Sequence, residues 1–159
     1  MPSSTVIRLA VATDAGPIAD LSRSDIELGL GWSWQAPRVL RAIGDRATNV
    51  AVACQGGQVV GFGIMQYADE TAHLSLLAVH PVARHQGLGK RLLSWLEEVA
   101  RTAGIQCLRV EARADNPNAI AFYEALGFRE LSRVAGYYSG RIDAVRLEKS
   151  LLRAPAGRF

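Results

Sequence analysis

The chain has 159 residues with 49% hydrophobic residues, a length and composition that suit one globular domain spanning residues 1–159. Its net charge of +3 comes from 18 basic and 15 acidic residues that are dispersed, which argues against a nucleic-acid partner but is compatible with a polyanionic ligand. No apolar run is long enough to span a membrane, and residues 1–5 lack the features of a signal peptide, so we expect a cytoplasmic protein that does not associate with membranes.

The first half of the chain has the pattern of one strand, two helices and a hairpin. Residues 6–10 predict a strand, and Thr13 is the candidate N-cap of an amphipathic helix. A glycine-broken segment follows, and Pro37 is expected to begin a second, short helix. Two β-rich runs surround a Gln-Gly-Gly-Gln turn and predict a hairpin, with strands at 48–54 and 59–66.

The second half alternates apolar strands with amphipathic helices. A helix is expected from Leu88 to Gly104 and another from Asn116 to Gly127, because glycine commonly follows the last helical residue. The remaining apolar runs predict four strands, at 73–79, 106–113, 128–134 and 144–150. Together these elements predict an α/β fold in which a mixed sheet carries helices on both faces.

The turn between the strand at 73–79 and the next helix has the chemistry of an anion site. Glycines there let an anion approach the backbone, and the first N–H groups of a helix lack internal partners. The neighbouring side chains add donors and positive charge. The predicted pyrophosphate site consists of Arg84, His85, Gln86, Gly87, Leu88, Gly89 and Lys90.

Two other phosphate loops are excluded by individual positions in this turn. A P-loop ending at Lys90 needs glycine at position 84 and serine or threonine at 91, where the chain has Arg84 and Arg91. A dinucleotide fingerprint starting at Gly87 needs glycine at 92, where the chain has Leu92. A glycine turn before an ordinary core helix remains the alternative.

Two further segments, taken with this turn, resemble a known family. The pattern Arg-x-x-Gly-x-Gly after an apolar strand and the segment 116–128, Asn-Pro-Asn-Ala-Ile-Ala-Phe-Tyr-Glu-Ala-Leu-Gly-Phe, are similar to two signatures of the GNAT superfamily of acyl-CoA N-acyltransferases. Residues 136–144 resemble the ribosomal-protein-alanine type within it. The resemblance implies a mostly antiparallel central sheet, a cofactor half at about 73–128, and acceptor-side elements at about 25–45 and 134–143.

Asn116 and Tyr123 are the candidate residues on the second predicted helix. Asn116 suits an N-cap, and a spacing of seven places both residues on one helical stripe. The resemblance implies that Asn116 helps to hold acetyl-CoA and that Tyr123 contacts the cofactor and protonates the departing CoA thiolate. The alternative for Tyr123 is a core aromatic residue with a solvent-facing hydroxyl.

Glu111 is the candidate base. It lies on the polar side of an apolar strand, where pairing with a neighbouring arginine is the alternative. The resemblance places the base that deprotonates the acceptor amine at this position, and we expect a carboxylate with a raised pKa, acting directly or through water. His73 is the substitute base. The three histidines are too scattered to form a metal site, so no metal is expected.

Other site residues follow from the resemblance. The strand segment Leu77, Ala78 and Val79 is expected to bind the pantetheine amides of the cofactor through its backbone. Four aromatic residues are expected to bind the acceptor: Trp32 and Trp34 in the glycine-broken segment, and Tyr137 and Tyr138 on a loop. Packing is the alternative for all four.

The sequence thus predicts an acetyl-CoA-dependent N-acetyltransferase that acts by direct transfer in a ternary complex. The expected acceptor is the N-terminal amine of a protein or peptide, and the protein is expected to be a monomer or homodimer. A small-molecule amine such as a polyamine or aminoglycoside is the alternative acceptor. A CoA-binding regulatory module without turnover is the rival from another class.

Overall fold

A computed structural model describes residues 4–152, which build one seven-stranded sheet with helices on both faces. The ends of the predicted domain, residues 1–3 and 153–159, lie outside this part of the chain. The strands are β1 Thr5–Leu9, β2 Thr48–Gln55, β3 Gln58–Ala68, β4 Thr71–Val79, β5 Cys107–Arg113, β6 Arg129–Tyr138 and β7 Ile142–Ser150. The helices are α1 Ala15–Asp25, α2 Ala36–Gly44, α3 Leu88–Thr102 and α4 Pro117–Ala125.

The strand order is β1-β2-β3-β4-β5-β7-β6, and every neighbouring pair is antiparallel except β4 with β5. The parallel pair requires a crossover, which α3 supplies between the two strands. This architecture confirms the predicted mixed, mostly antiparallel sheet.

Two apolar cores lie on opposite faces of the sheet, because the side chains of a strand alternate between its faces. On β2, Ala51 and Ala53 pack in the core beneath α3 and α4, whereas Val50 and Val52 pack beneath α1 and α2. Gly63 of β3 lets α3 approach closely, since a Cβ there would lie 2.7 Å from a methyl group of Leu96.

Two local expectations are wrong. Thr13 does not cap α1, because residues Ala12–Asp14 form a short 3₁₀ turn first and Asp14 binds both Arg8 and the backbone N–H of Val11. The last hairpin is also longer than expected, so Tyr137 and Tyr138 are the final residues of strand β6 and not loop residues. Strand pairing with β7 extends the regular structure to the turn.

Candidate active site

The loop between β4 and α3 presents a row of free backbone donors. His85 and Gly87 have φ values of 64° and 73°, the left-handed conformation that turns successive N–H groups toward one concave surface. Within residues 4–152, the six N–H groups from His85 to Lys90 donate to no acceptor. A Cβ added at Gly87 would meet nothing within 4 Å, so the space beside it is open. The loop therefore fits a phosphate group.

The side chains of this loop have different surroundings. Arg84 donates from Nε to the Val79 carbonyl at 3.1 Å, and its guanidinium lies 3.3 Å from the buried carboxylate of Asp25 without the alignment of a hydrogen bond. Gln86 accepts a hydrogen bond from Gln55 at 2.8 Å. Lys90 lines a shallow groove between α3 and β1. The backbone N–H of Lys90, and not its side chain, belongs to the row of free backbone donors.

Strands β4 and β5 are paired only in their first halves and separate toward the ends of the strands. Their pairing runs from Thr71 with Cys107 to Leu74 with Val110, although β4 continues to Val79 and β5 to Arg113. A cleft opens where pairing stops, and we call it the reaction cleft. It is lined by Asp25, Ile26, Leu74, Ser75, Leu76, Leu77, Val110, Glu111, Ala112, Arg113, Asn116, Ala119, Tyr123 and Tyr138.

Helix α4 contributes Asn116 and Tyr123 to the reaction cleft. Asn116 caps the helix, accepting the Ala119 N–H at 3.1 Å through Oδ1, which leaves its amide NH₂ without a partner among the described residues. Tyr123 is buried, and its ring meets Phe122 and Phe128 edge to face. Its hydroxyl has no hydrogen-bond partner in residues 4–152. Burial, with a smaller effect of Tyr138, raises the pKa of Tyr123, so its proton is retained at neutral pH.

Glu111 and His73 form a hydrogen-bonded pair across the parallel strands. His73 Nε2 lies 2.7 Å from Oε2 and 3.0 Å from Oε1 of Glu111. The Tyr137 hydroxyl donates to Oε1 at 3.2 Å, and the Arg146 guanidinium lies 3.8 Å away. The two residues that the sequence offered as alternative bases are therefore one unit.

The pKa of Glu111 is lowered from its ordinary value, which corrects the expectation of a raised pKa. Burial alone would raise it, but hydrogen bonds from His73 and Tyr137 and the charges of His73 and Arg146 outweigh burial. The carboxylate is therefore ionised at neutral pH. With both oxygens already accepting hydrogen bonds, it is better suited to orienting His73 and stabilising a positive charge there than to binding a proton itself.

The other nitrogen of His73 faces a polar chain. Nδ1 lies 3.4 Å from the Ser75 hydroxyl, and that hydroxyl donates to Gln66 at 2.7 Å. His73, Ser75 and Gln66 all line a second cavity beside the reaction cleft. The pair thus connects the two spaces, with Glu111 in the cleft and His73 in the second cavity.

This second cavity, the acceptor cavity, has a volume of about 390 Å³. It shares Ile26, Ser75, Leu76 and Tyr138 with the reaction cleft, so the two spaces are adjacent. Its remaining lining comes from the α1–α2 connection, α2, β3, β4 and the tip of the last hairpin: Glu27, Leu30, Gly31, Ser33, Trp34, Arg38, Gln66, His73, Tyr137 and Ser139. The volume suits a chain end or a small molecule.

Only one of the two tryptophans that were predicted to bind the acceptor lines the acceptor cavity. Trp34 lines the acceptor cavity, with the Arg38 guanidinium stacked 3.9 Å from its ring centroid. Trp32 does not line it, because its indole N–H donates to the Ala19 carbonyl at 3.2 Å and its ring packs beside Arg23 of α1. Trp32 is therefore a packing residue and not part of the acceptor cavity. Tyr137 and Tyr138 form an edge-to-face pair, 4.9 Å between centroids, and both line the acceptor cavity.

Two residues that hold the α1–α2 connection in place were not predicted from the sequence. Glu27 is buried and accepts hydrogen bonds from the Ser22 hydroxyl, from the Ser33 N–H and hydroxyl, and from the Trp34 N–H. Arg113 of β5 donates to the carbonyls of Ile26 and Leu28. Both fix the α1–α2 connection. A charged residue in a glycine-broken segment ordinarily indicates solvent exposure, so no local signal distinguishes Glu27.

Residues 4–152 contain neither a cluster of metal ligands nor a membrane-spanning helix. No three His, Cys, Asp or Glu side chains within that range cluster as ligands for a metal ion. None of the helices there is long and apolar enough to cross a membrane.

The loop with free backbone N–H groups, the separated parallel strands and the helical tyrosine in the cleft between them suit a transferase that uses an acyl-CoA donor. The model of the Acetyltransferase (GNAT) family matches residues 18–128, and the chain belongs to this family. It is an N-acetyltransferase with acetyl-CoA as the acetyl donor. The free N–H row, the open space at Gly87 and the unpaired edge of β4 fit that donor.

The chain is similar to N-acetyltransferases from two organisms, one of which is also compared as a crystal structure. The [ribosomal protein bS18]-alanine N-acetyltransferase of Escherichia coli is 39% identical over 105 residues, covering 64% of this chain and 70% of the relative. A thialysine N-epsilon-acetyltransferase of Caenorhabditis elegans is 29% identical over 119 residues, covering 72% and 74%. The crystal structure of the ribosomal-protein-S18-alanine N-acetyltransferase from Escherichia coli superposes with a TM-score of 0.83 at 27% identity, covering 98% of this chain and 99% of that one.

Proposed function

We propose that this enzyme acetylates the N-terminal amine of a protein or peptide by direct transfer within a ternary complex. The observation that carries the proposal is that the reaction cleft and the acceptor cavity lie side by side and share Ser75, Leu76 and Tyr138 in their lining. An amine entering from the acceptor cavity reaches the cleft without a covalent relay through the protein. The similarity to an alanine N-acetyltransferase supports a chain end as the acceptor.

The chain's own groups account for cofactor binding. The N–H row from His85 to Lys90 holds the phosphates, and Arg84 adds positive charge beside it. The linear arm is held by the amide of Asn116 and by the backbone of Leu77, Ala78 and Val79 on the β5 side of β4, where pairing with β5 has ended. When bound, acetyl-CoA supplies an acetyl thioester. A backbone N–H of β4 then stabilises negative charge on the carbonyl oxygen.

The Glu111–His73 pair removes the proton that blocks attack. An α-amino group has a pKa near 8, so it is largely protonated at neutral pH and attacks only as the neutral amine. His73 faces the acceptor cavity through Nδ1 and takes the proton there. Glu111 fixes the ring through Nε2 and stabilises the resulting imidazolium. Neither residue performs this step alone.

Tyr123 donates the proton that the departing thiolate takes up. Its hydroxyl remains protonated because burial raises its pKa, and it has no competing acceptor among the described residues. A departing thiolate corresponds to a thiol with a pKa of about 8.5, so donation from a phenol held at the sulfur assists its departure.

A small-molecule amine is the second candidate acceptor, favoured by the similarity to the thialysine N-epsilon-acetyltransferase. Thiol release from acetyl-CoA should be measured with N-terminal peptides, thialysine, polyamines and aminoglycosides, and mass spectrometry should locate the acetyl group. We expect the highest kcat/KM for peptides, with acetylation at the α-amine. Faster turnover of any of the small amines would replace the peptide proposal.

A further inference from the structure

Arg38 lines the acceptor cavity, and its guanidinium has no hydrogen-bond or ion-pair partner among the described residues. It lies in the first turn of α2, four residues after Trp34, and its guanidinium carbon is 3.9 Å from the centroid of that ring. Its side chain makes no hydrogen bond or ion pair with any of residues 4–152. Stacking occupies the face of the planar guanidinium and leaves its N–H edges free.

The other charged groups that line the acceptor cavity are already paired. Both carboxylate oxygens of Glu27 accept hydrogen bonds, which come from Ser22, Ser33 and Trp34. His73 is bonded to Glu111. Arg38 is thus the one charged side chain in this lining without a partner among the described residues. The cavity has a free cation and no free anion.

We propose that Arg38 binds a carboxylate of the acceptor and so gives the enzyme a preference for acceptors with an acidic group near the reacting amine. This rests on the proposed acetyl transfer into this cavity. A guanidinium offers two parallel N–H donors to one carboxylate, and the Trp34 ring holds it in a single plane for that contact. The carboxylate comes from an acidic side chain of a peptide or from the α-carboxylate of a free amino acid.

Direct binding tests the proposal without depending on turnover. Calorimetry on the CoA-loaded enzyme should compare peptides that differ only by Glu or Gln at position two, three or four. Lysine and lysinamide form a second arm that tests a free α-carboxylate. The variants are Arg38→Gln and the control Arg41→Gln, which removes the same charge from an exposed position on α2 outside the cavity lining.

We expect one acidic ligand to bind about threefold to tenfold more tightly than its neutral partner, since Arg38 is exposed and exposed ion pairs are modest in strength. Arg38→Gln should abolish that ratio, Arg41→Gln should preserve it, and added salt should weaken it. The arm that shows the ratio identifies the source of the carboxylate.

Equal binding of every acidic and neutral pair by the wild-type enzyme would overturn the role of Arg38, and so would an unchanged ratio in Arg38→Gln. Acetyl transfer is scored separately by thiol release. Tight, Arg38-dependent binding without thiol release contradicts the proposed acceptor but not the carboxylate site, so the two failures are distinguishable.

Discussion

His73 Nε2 lies 2.7 Å from the Glu111 carboxylate, although the two residues are 38 positions apart in the chain. The parallel register sets this contact, because His73 is opposite Arg109 and Glu111 is the next residue along β5 on the same face. The contact joins the reaction cleft to the acceptor cavity, since each partner lines one of the two spaces.

If this pair acts as one unit, its two members should give non-additive kinetic effects. We expect Glu111→Gln and His73→Gln each to lower kcat/KM by about 100-fold, with the double variant no slower than the slower single variant. Glu111→Gln should also displace the acidic limb of the pH–rate profile, because it removes the negative charge that stabilises the protonated ring of His73. Steady-state kinetics across pH checks this. If the kcat/KM losses of the two single variants multiply in the double variant, or if Glu111→Gln keeps the wild-type pH–rate profile, Glu111 has only a structural role.

The lowered pKa of Glu111 predicts how stability depends on pH. A carboxyl whose pKa is lower in the folded protein binds fewer protons folded than unfolded, so its stabilising contribution is complete above its ordinary pKa of 4.5. That contribution disappears as the pH falls through the lowered folded pKa. Urea unfolding of the wild type and Glu111→Gln should therefore give a free-energy difference that shrinks as the pH falls below about 5. A difference independent of pH would contradict the lowered pKa.

Gly87→Asp should weaken CoA binding at least about tenfold, because it places a side chain and a negative charge at the proposed phosphate site. Gly57 supplies a matched control, with a φ of 78° against 73° for Gly87 and no atom within 4 Å of an added Cβ at either position. Both Asp variants carry the same backbone strain, but Gly57 lies in the β2–β3 turn. Calorimetry with CoA should separate them, and equal affinities would remove the phosphate site from this loop.

Tyr123→Phe should lower kcat roughly tenfold to a thousandfold and leave the acetyl-CoA affinity nearly unchanged, as expected for loss of a proton donor. The fold should be retained, because the hydroxyl bonds to no described residue and the ring contacts with Phe122 and Phe128 remain. Tyr67→Phe is the control, since the hydroxyl of Tyr67 bonds to Asn49 outside both cavities. An unchanged kcat with chemistry rate-limiting would leave Tyr123 a packing residue.

Glu27→Gln should alter acceptor binding through the α1–α2 connection. In glutamine one of the two carboxylate oxygens is replaced by an NH₂ group, so the side chain can no longer accept the N–H groups of Ser33 and Trp34 on separate oxygens, and we expect a loss of about 2 kcal/mol in unfolding free energy and a higher acceptor KM. CoA affinity should not change. Glu130→Gln, at an exposed position of β6, is the control for removing a negative charge. A normal acceptor KM despite the lost stability would show that the connection does not shape the acceptor cavity.

Local sequence was sufficient wherever a feature depends on neighbouring residues. The left-handed turn at Gly87, the Asn116 cap of α4 and the glycines after α3 and α4 were all predictable, because each depends on the conformation of a few adjacent residues. Alternating and helical apolar patterns similarly predicted the two-faced mixed sheet. The assignment of Thr13 failed where a competing contact, Arg8 with Asp14, reorganised the start of α1.

Only the tertiary structure decided the properties that arise from residues distant in the chain. The direction of the Glu111 pKa shift depends on His73, Tyr137 and Arg146, which β4, β6 and β7 bring to one carboxylate. The same is true of the tryptophans, since Trp34 lines the acceptor cavity and Trp32 packs on α1. Sequence patterns report which face of an element is apolar. They do not report which polar groups meet across that face, because strand register and helix packing set those distances.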